Sequence, residues 1–177
     1  MMIKVKRNSI GALTAALLLL FSACGGTGDA QDAASSAPAG KPLFTGAFLT
    51  DADRVEPLEE EGESAQQTVQ TGTATILLGR FHTNHAAEAC MDDYYDGRPF
   101  EIHEGIELPG GEEGTHYRWR SGSNEDSTVI DAVVAEADGY SLLFLCRDSL
   151  DAFEGDAESG PDRATVDSWV SGLTVGR

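Results

Sequence analysis

Apolar and polar residues alternate along two stretches near the middle of the chain. Residues 100–108 (FEIHEGIEL) and 115–121 (THYRWRS) both repeat with a period of two, which is typical of half-buried strands. The loop 109–114 between them contains one proline and three glycines, so we expect a β-hairpin. A register with Ile106 opposite Tyr117 would bring the apolar sides of the two strands together.

A second hairpin is predicted further along the chain. Residues 128–136 and 140–147 are rich in β-branched and other apolar side chains, and they flank Asp138 and Gly139. An Asp-Gly pair between two apolar runs is a strong signal for a tight turn. Because residues 142–145 are apolar without interruption, we expect the second strand of this hairpin to be central in its sheet.

Helices are predicted on either side of the two hairpins. Asn84 is a good N-cap for a helix over residues 85–95, and Pro99 prevents its continuation. Near the end of the chain, where Pro161 suits a helix start, apolar residues follow the helical spacing i, i+3, i+4, i+7: Val166, Trp169, Val170 and Leu173.

These elements predict one α+β domain over residues 73–177. Residues 73–81 add a strand with both faces covered, and the hairpins make the sheet mostly antiparallel, with about five strands and both helices packed on one face. Residues 43–50 form a short apolar run, whereas residues 51–72 are acidic. We therefore expect residues 43–72 to be a loosely structured, solvated segment.

The first residues of the chain have the pattern of an export signal. Lys4, Lys6 and Arg7 precede an apolar run over residues 10–21. A helix of that length spans about 18 Å, which is too short for a hydrocarbon core of about 30 Å. Residues 1–23 therefore predict a cleaved secretory signal.

The end of this signal carries a recognisable motif. The segment Leu20-Phe21-Ser22-Ala23-Cys24 resembles the lipobox of bacterial lipoproteins, although that family prefers leucine where this chain has Phe21. The resemblance implies that Cys24 becomes the first mature residue and carries a diacylglycerol, with palmitate-type acyl chains holding the protein to a membrane. The alternative is an ordinary secretory signal cleaved near Ala23, which would leave Cys24 as a disulfide partner. In the lipid-anchored protein, residues 24–42, rich in Gly, Ala, Ser and Asp, would form a flexible tether.

Cysteine number bears on the same question. If Cys24 is acylated, Cys90 and Cys146 remain as an even pair in an oxidising compartment, and we expect a disulfide between them. A helix that carries Cys90 and packs on the central strand could bring the two thiols together.

Charge limits the partners of this 177-residue chain. The formal net charge is −18, and all 30 acidic residues follow the predicted signal. The mature chain would keep nine cations, which gives a formal charge of −21. Such a surface repels nucleic acid, so no nucleic-acid partner is expected.

Candidate binding residues cluster on the first hairpin. His116, Arg118 and Arg120 alternate along one strand, with His103 expected nearby on the same outer face. A cationic strip in an acidic protein could attract an anionic ligand or an acidic partner. The alternative is a set of ordinary surface ion pairs with neighbouring glutamates.

Metal binding has weaker support in the sequence. His82 and His85 supply two ligands, whereas zinc needs three or four that converge. The acidic stretch 148–158 could bind calcium but lacks the EF-hand spacing. Solvated polar residues are the alternative for both.

Catalytic motifs are missing from the sequence. There is no Gly-x-Ser-x-Gly elbow, no cysteine-enzyme signature and no phosphate-binding glycine loop. We therefore expect a lipid-anchored lipoprotein in the cell envelope, on the periplasmic or extracellular side, with a non-catalytic domain and no cofactor. Its partner would be an envelope protein or a small ligand; the alternatives are a hydrolase with an unrecognised site or a cation-binding lipoprotein. The last hairpin and helix are similar in pattern to PsbP-like small lipoprotein domains.

Overall fold

The computed structural model describes residues 41–83, 85–122, 127–155 and 160–176. The predicted signal and nearly all of the predicted tether, including Cys24, lie outside these residues. In the described part of the chain, no helix is both long and apolar enough to cross a bilayer. The strands are β1 Leu43–Thr45, β2 Arg54–Val55, β3 Glu59–Glu61, β4 Ser64–Thr71, β5 Ala74–Phe81, β6 Ile102–Glu107, β7 Glu113–Ser121, β8 Thr128–Ala137, β9 Tyr140–Ser149 and β10 Thr174–Gly176. The helices are α1 Ala86–Asp92, α2 Leu150–Glu154 and α3 Arg163–Ser171, with a 3-10 turn at Ala47–Leu49.

A large antiparallel sheet dominates the described part of the chain. Its strands lie in the order β2-β4-β5-β9-β8-β7-β6, and β3 also pairs with β4, which makes eight strands. The first and last strands, β1 and β10, form a separate two-stranded sheet. The strand β9 lies between β5 and β8, so the predicted central position of residues 140–147 is confirmed.

The predicted fold class is wrong in its sheet size and in its helix placement. Residues 51–72 contribute β2, β3 and β4 to the sheet instead of forming a loose connection. Only every second position of β4 is buried there, at Ala65, Gln67 and Val69. One of these is polar: Gln67 donates its side-chain N–H to the carbonyl oxygen of Glu56. The backbone of β4 pairs with β2, β3 and β5, and this pairing holds in the sheet a strand with only two buried apolar residues.

The helices pack on opposite faces of the sheet. Successive strand residues point to opposite sides, so β9 turns Leu143 and Leu145 towards α1, and Leu142 and Phe144 towards α2 and α3. The α1 face is completed by Ala87, Met91, Trp119, Ile130, Ala132 and Val134. The α3 face buries Val166, Trp169, Val170 and Leu173, which confirms the apolar spacing predicted for the last helix.

The β6–β7 hairpin adopts a different register from the predicted one. Ile106 lies opposite Gly114, not Tyr117, and Tyr117 lies opposite His103. A shift by an odd number of residues reverses which faces meet, so Ile102 and Ile106 share a side with the polar residues of β7. Trp119 and Tyr117 instead join the α1 face, where Trp119 is fully buried.

The predicted disulfide does not form. Cys90 and Cys146 are both free. Cys90 packs against the α1 face of the sheet, whereas Cys146 is buried on the α3 face. The sheet itself separates the two thiols, because the helix that carries Cys90 packs on the side to which Leu145, and not Cys146, points.

Candidate functional site

Helix α3 covers the face of β7 that carries two of the predicted binding residues. His116 and Arg118 are only 5% and 2% exposed, and they face α3 instead of forming an outer cationic strip. A buried guanidinium needs a charged partner and several hydrogen-bond acceptors, since burying it alone is costly. The residues around the guanidinium of Arg118 therefore define the candidate site.

Asp131 of β8 is the centre of a buried charge network. It lies directly opposite Arg118 in the β7–β8 ladder and is 2% exposed. Nε of Arg118 donates to both carboxylate oxygens at 2.9 Å, and Nε2 of His116 lies 2.8 Å from Oδ1. The carboxylate thus joins two side chains of the neighbouring strand, and all three groups are held in one arrangement.

Helix α3 supplies a second carboxylate to this network. Arg118 also pairs with Asp167, whose side chain is half exposed. Burial lowers the pKa of Arg118, but hydrogen bonds to Asp131 and Asp167 outweigh this and raise the pKa above its ordinary value. Arg118 therefore stays charged, with its guanidinium carbon 4.9 Å from the centre of the Phe153 ring.

An open groove lies above this network, between β6 and α3. We call it the hairpin groove; its volume is about 560 Å³. The lining residues are Ile102, Glu104, Ile106, Glu107, His116, Arg118, Asp167, Val170 and Ser171. The isoleucines and Val170 are apolar, the carboxylates are acidic, and Asp131 already engages His116 and Arg118. The groove therefore suits an apolar ligand with positive charge better than the anionic ligand expected from the sequence.

The structure separates the four predicted binding residues. Arg120 pairs with Glu101 and Glu154 near the surface, which agrees with the surface-pair alternative. His103 lies on the opposite face of the sheet and stacks on Tyr117 with ring centres 4.9 Å apart. Only His116 and Arg118 remain together.

Sequence reasoning missed both carboxylates of the network. Asp131 was identifiable in principle, because it interrupts an apolar strand where an unpaired charge could not remain. Asp167 lies one residue after Val166 on the polar side of a helix, and nothing in its spacing distinguishes it from a solvated residue.

The predicted metal ligands do not converge in the structure. His82 pairs with Glu63, and His85 pairs with Glu88; both imidazoles are largely exposed. Within residues 41–176, apart from the undescribed positions, no three His, Cys, Asp or Glu side chains are placed to hold a metal ion. In the acidic stretch 148–158, Asp148 is instead buried and accepts a hydrogen bond from Thr73.

Cys146 lies beside the network, directly opposite Asp131 in the β8–β9 ladder. Burial raises the pKa of its thiol strongly, and the negative charges of Asp131 and Asp148 raise it further. The reactive form of cysteine is the thiolate, so this thiol is a poor nucleophile.

Comparison with known proteins adds little to this geometry. No protein-family model matches the chain, and no curated protein matches it. A crystal structure from Bacteroides thetaiotaomicron VPI-5482 is similar, with 8% identity and a TM-score of 0.39. The match covers 68% of this chain and 42% of that one, so the chain spans less than half the length of that neighbour.

Proposed function

We propose that the protein is an exported, lipid-anchored lipoprotein of the cell envelope whose sheet domain is a non-catalytic binding module. The anchor would be an acyl-modified Cys24, and residues 24–42 would hold the domain clear of the membrane. The hairpin groove would be the binding surface.

The observation that carries the binding assignment is the mutual pairing of the buried charges. Nε2 of His116 and Nε of Arg118 both hydrogen-bond to Asp131, and Arg118 also engages Asp167. A general acid or base needs a group that reaches a substrate with a free proton or lone pair. The atoms engaged with Asp131 instead stiffen the floor of the groove, and this rigidity supports a role in recognition.

The anchor is tested by growing bacteria that express the full chain with labelled palmitate. The natural protein should carry the label in the membrane fraction, and Cys24→Ser should lose both label and anchoring. Cys90→Ser is the matched control and should keep them. Label retained by Cys24→Ser would refute the anchor.

The binding role is tested by placing a photo-crosslinking amino acid at Glu104, inside the hairpin groove. The same group at Glu61, exposed on β3, is the control. A discrete adduct should form in the envelope from position 104 and not from position 61. Equal products at both positions would contradict a binding role for the groove.

A further inference from the structure

The strand β6 lies at one end of the large sheet. Among the described strands it pairs only with β7, and its other edge has no strand partner. The backbone N–H and C=O groups along a free edge are a ready template for another extended chain. The hairpin groove runs beside this edge.

The side chains that β6 turns towards the groove follow a distinct order. Ile102 and Glu104 lie opposite Arg118 and His116, so they share the α3 side of the sheet, and Ile106 follows on the same side. The sequence of groove-facing positions is thus apolar, acidic, apolar. Glu104 is exposed and forms no ion pair with any described residue.

Charge around the groove selects the occupant. The half-exposed carboxylate of Asp167 borders the groove opposite Glu104, and the mature chain would carry a formal charge of −21. This field attracts cations over long distances and repels anionic segments.

We propose that the hairpin groove binds an extended basic segment of a partner protein, which adds to β6 as an extra strand. Alternate residues of that segment face the groove in the order apolar, basic, apolar. The basic side chain pairs with Glu104, and the apolar ones lie beside Ile102 and Ile106. This inference rests on the proposed binding function and names its partner chemistry.

The test uses the full chain in neutral detergent and a labelled nine-residue peptide. In this probe, valine, lysine and valine occupy alternate central positions with threonine between them. Binding is measured by fluorescence anisotropy. One comparison peptide has the same composition with the lysine and valines adjacent, and another carries N-methyl groups on alternate amides. The alternating peptide should bind at least fivefold more tightly than either, because only it can both pair with an edge strand and place its three side chains on one face.

Variants of the protein separate specific pairing from general attraction. Glu104→Gln should raise the dissociation constant about two- to fivefold, as expected for loss of one cross-strand ion pair. Glu61→Gln removes the same charge from β3, which lies towards the opposite end of the sheet from β6. This variant should change the dissociation constant less than about 1.5-fold.

Three results would overturn the inference: equal binding of the adjacent-residue peptide, equal binding of the N-methylated peptide, or equal effects of the two glutamine substitutions. The first and third would indicate unspecific attraction of cations. Failure of every peptide together with a crosslinked adduct at position 104 would refute the basic-segment partner while leaving the binding module intact. Failure of both would refute the proposed binding function as well.

Discussion

At the scale of single residues, Asp131 influences which side chains of β7 point towards α3. Its carboxylate lies in the middle of an apolar strand and is compensated by Arg118 and His116 from the neighbouring strand. Placing a charge there without these partners would be costly. The pairing therefore favours the register in which Arg118, and not Trp119, points towards α3.

Removing this carboxylate should destabilise the fold strongly. Asp131→Asn leaves the buried guanidinium of Arg118 without its main counter-charge, so we expect a loss of about 3–5 kcal/mol in the free energy of unfolding. Asp167→Asn removes the half-exposed partner of the same arginine and should cost less than about 1 kcal/mol. Urea unfolding followed by tryptophan fluorescence measures both. Similar losses in the two variants would show that Asp131 has no special role.

Asp148 gives a test based on pH. Burial raises its pKa above the ordinary value of 3.8, although hydrogen bonds from Thr73 and from the Ser149 amide offset part of this rise. The folded protein therefore binds a proton at Asp148 more tightly than the unfolded chain does. The contribution of Asp148 to stability consequently falls as the pH rises from 3.8 through the raised pKa of the folded state. Asp148→Asn cannot ionise.

The stability of Asp148→Asn relative to the natural protein should consequently increase as the pH rises from about 3.8 through the raised pKa of Asp148. Urea unfolding at several pH values gives this difference, in which the other carboxylates largely cancel. A difference that stays constant or decreases with pH would be inconsistent with a raised pKa.

At the scale of elements, the β8–β9 hairpin is specified by its turn. Asp138 and Gly139 both have positive φ angles, 53° and 80°. A two-residue type I′ hairpin turn requires a positive φ at both of its central residues. Glycine adopts this backbone conformation without steric cost, whereas most residues with a Cβ atom do not.

Gly139→Ala should therefore lower the free energy of unfolding by about 1–2 kcal/mol. Gly105→Ala is the control, because Gly105 has no positive φ and the nearest atom to its added Cβ would be 4.0 Å away; the change there should stay within about 0.5 kcal/mol. Thermal and urea unfolding both report the difference. If Gly105→Ala proved as damaging as Gly139→Ala, the turn geometry would not be the cause.

The elements differ in how well their sequence predicts them. The turn at 138–139, the continuous apolar run of β9 and the helical spacing of α3 are local signals, and the structure agrees with each. The strands β2 to β4 carry few apolar residues. They are held in the sheet by the hydrogen bonds of β4 to β2, β3 and β5. Pairing between strands depends on the partner and has no signature within one segment.

At the scale of the whole molecule, charge is the dominant feature. The formal charge of −18 on the chain produces repulsion among surface carboxylates, which salt screens. We expect the melting temperature to rise by roughly several degrees between about 0.05 M and about 0.5 M NaCl at about pH 7. The rise should shrink near pH 4, where many carboxylates are protonated. An equal salt response at both pH values would exclude carboxylate repulsion as its source.

Local sequence patterns were enough to predict the two hairpins, the apolar side of α3, the acidic surface and the residue types available for binding. These depend on neighbours within a few positions, so periodicity and turn chemistry are sufficient. The face that each residue occupies depended instead on the packing of the whole fold. Helix α3 covered Arg118 and brought Asp167 to it, the register of β6 against β7 put Ile102 and Ile106 on the same side as Arg118, and the sheet separated Cys90 from Cys146. Each of these outcomes depends on packing between distant segments, where one odd-numbered shift in strand register moves every side chain to the opposite face.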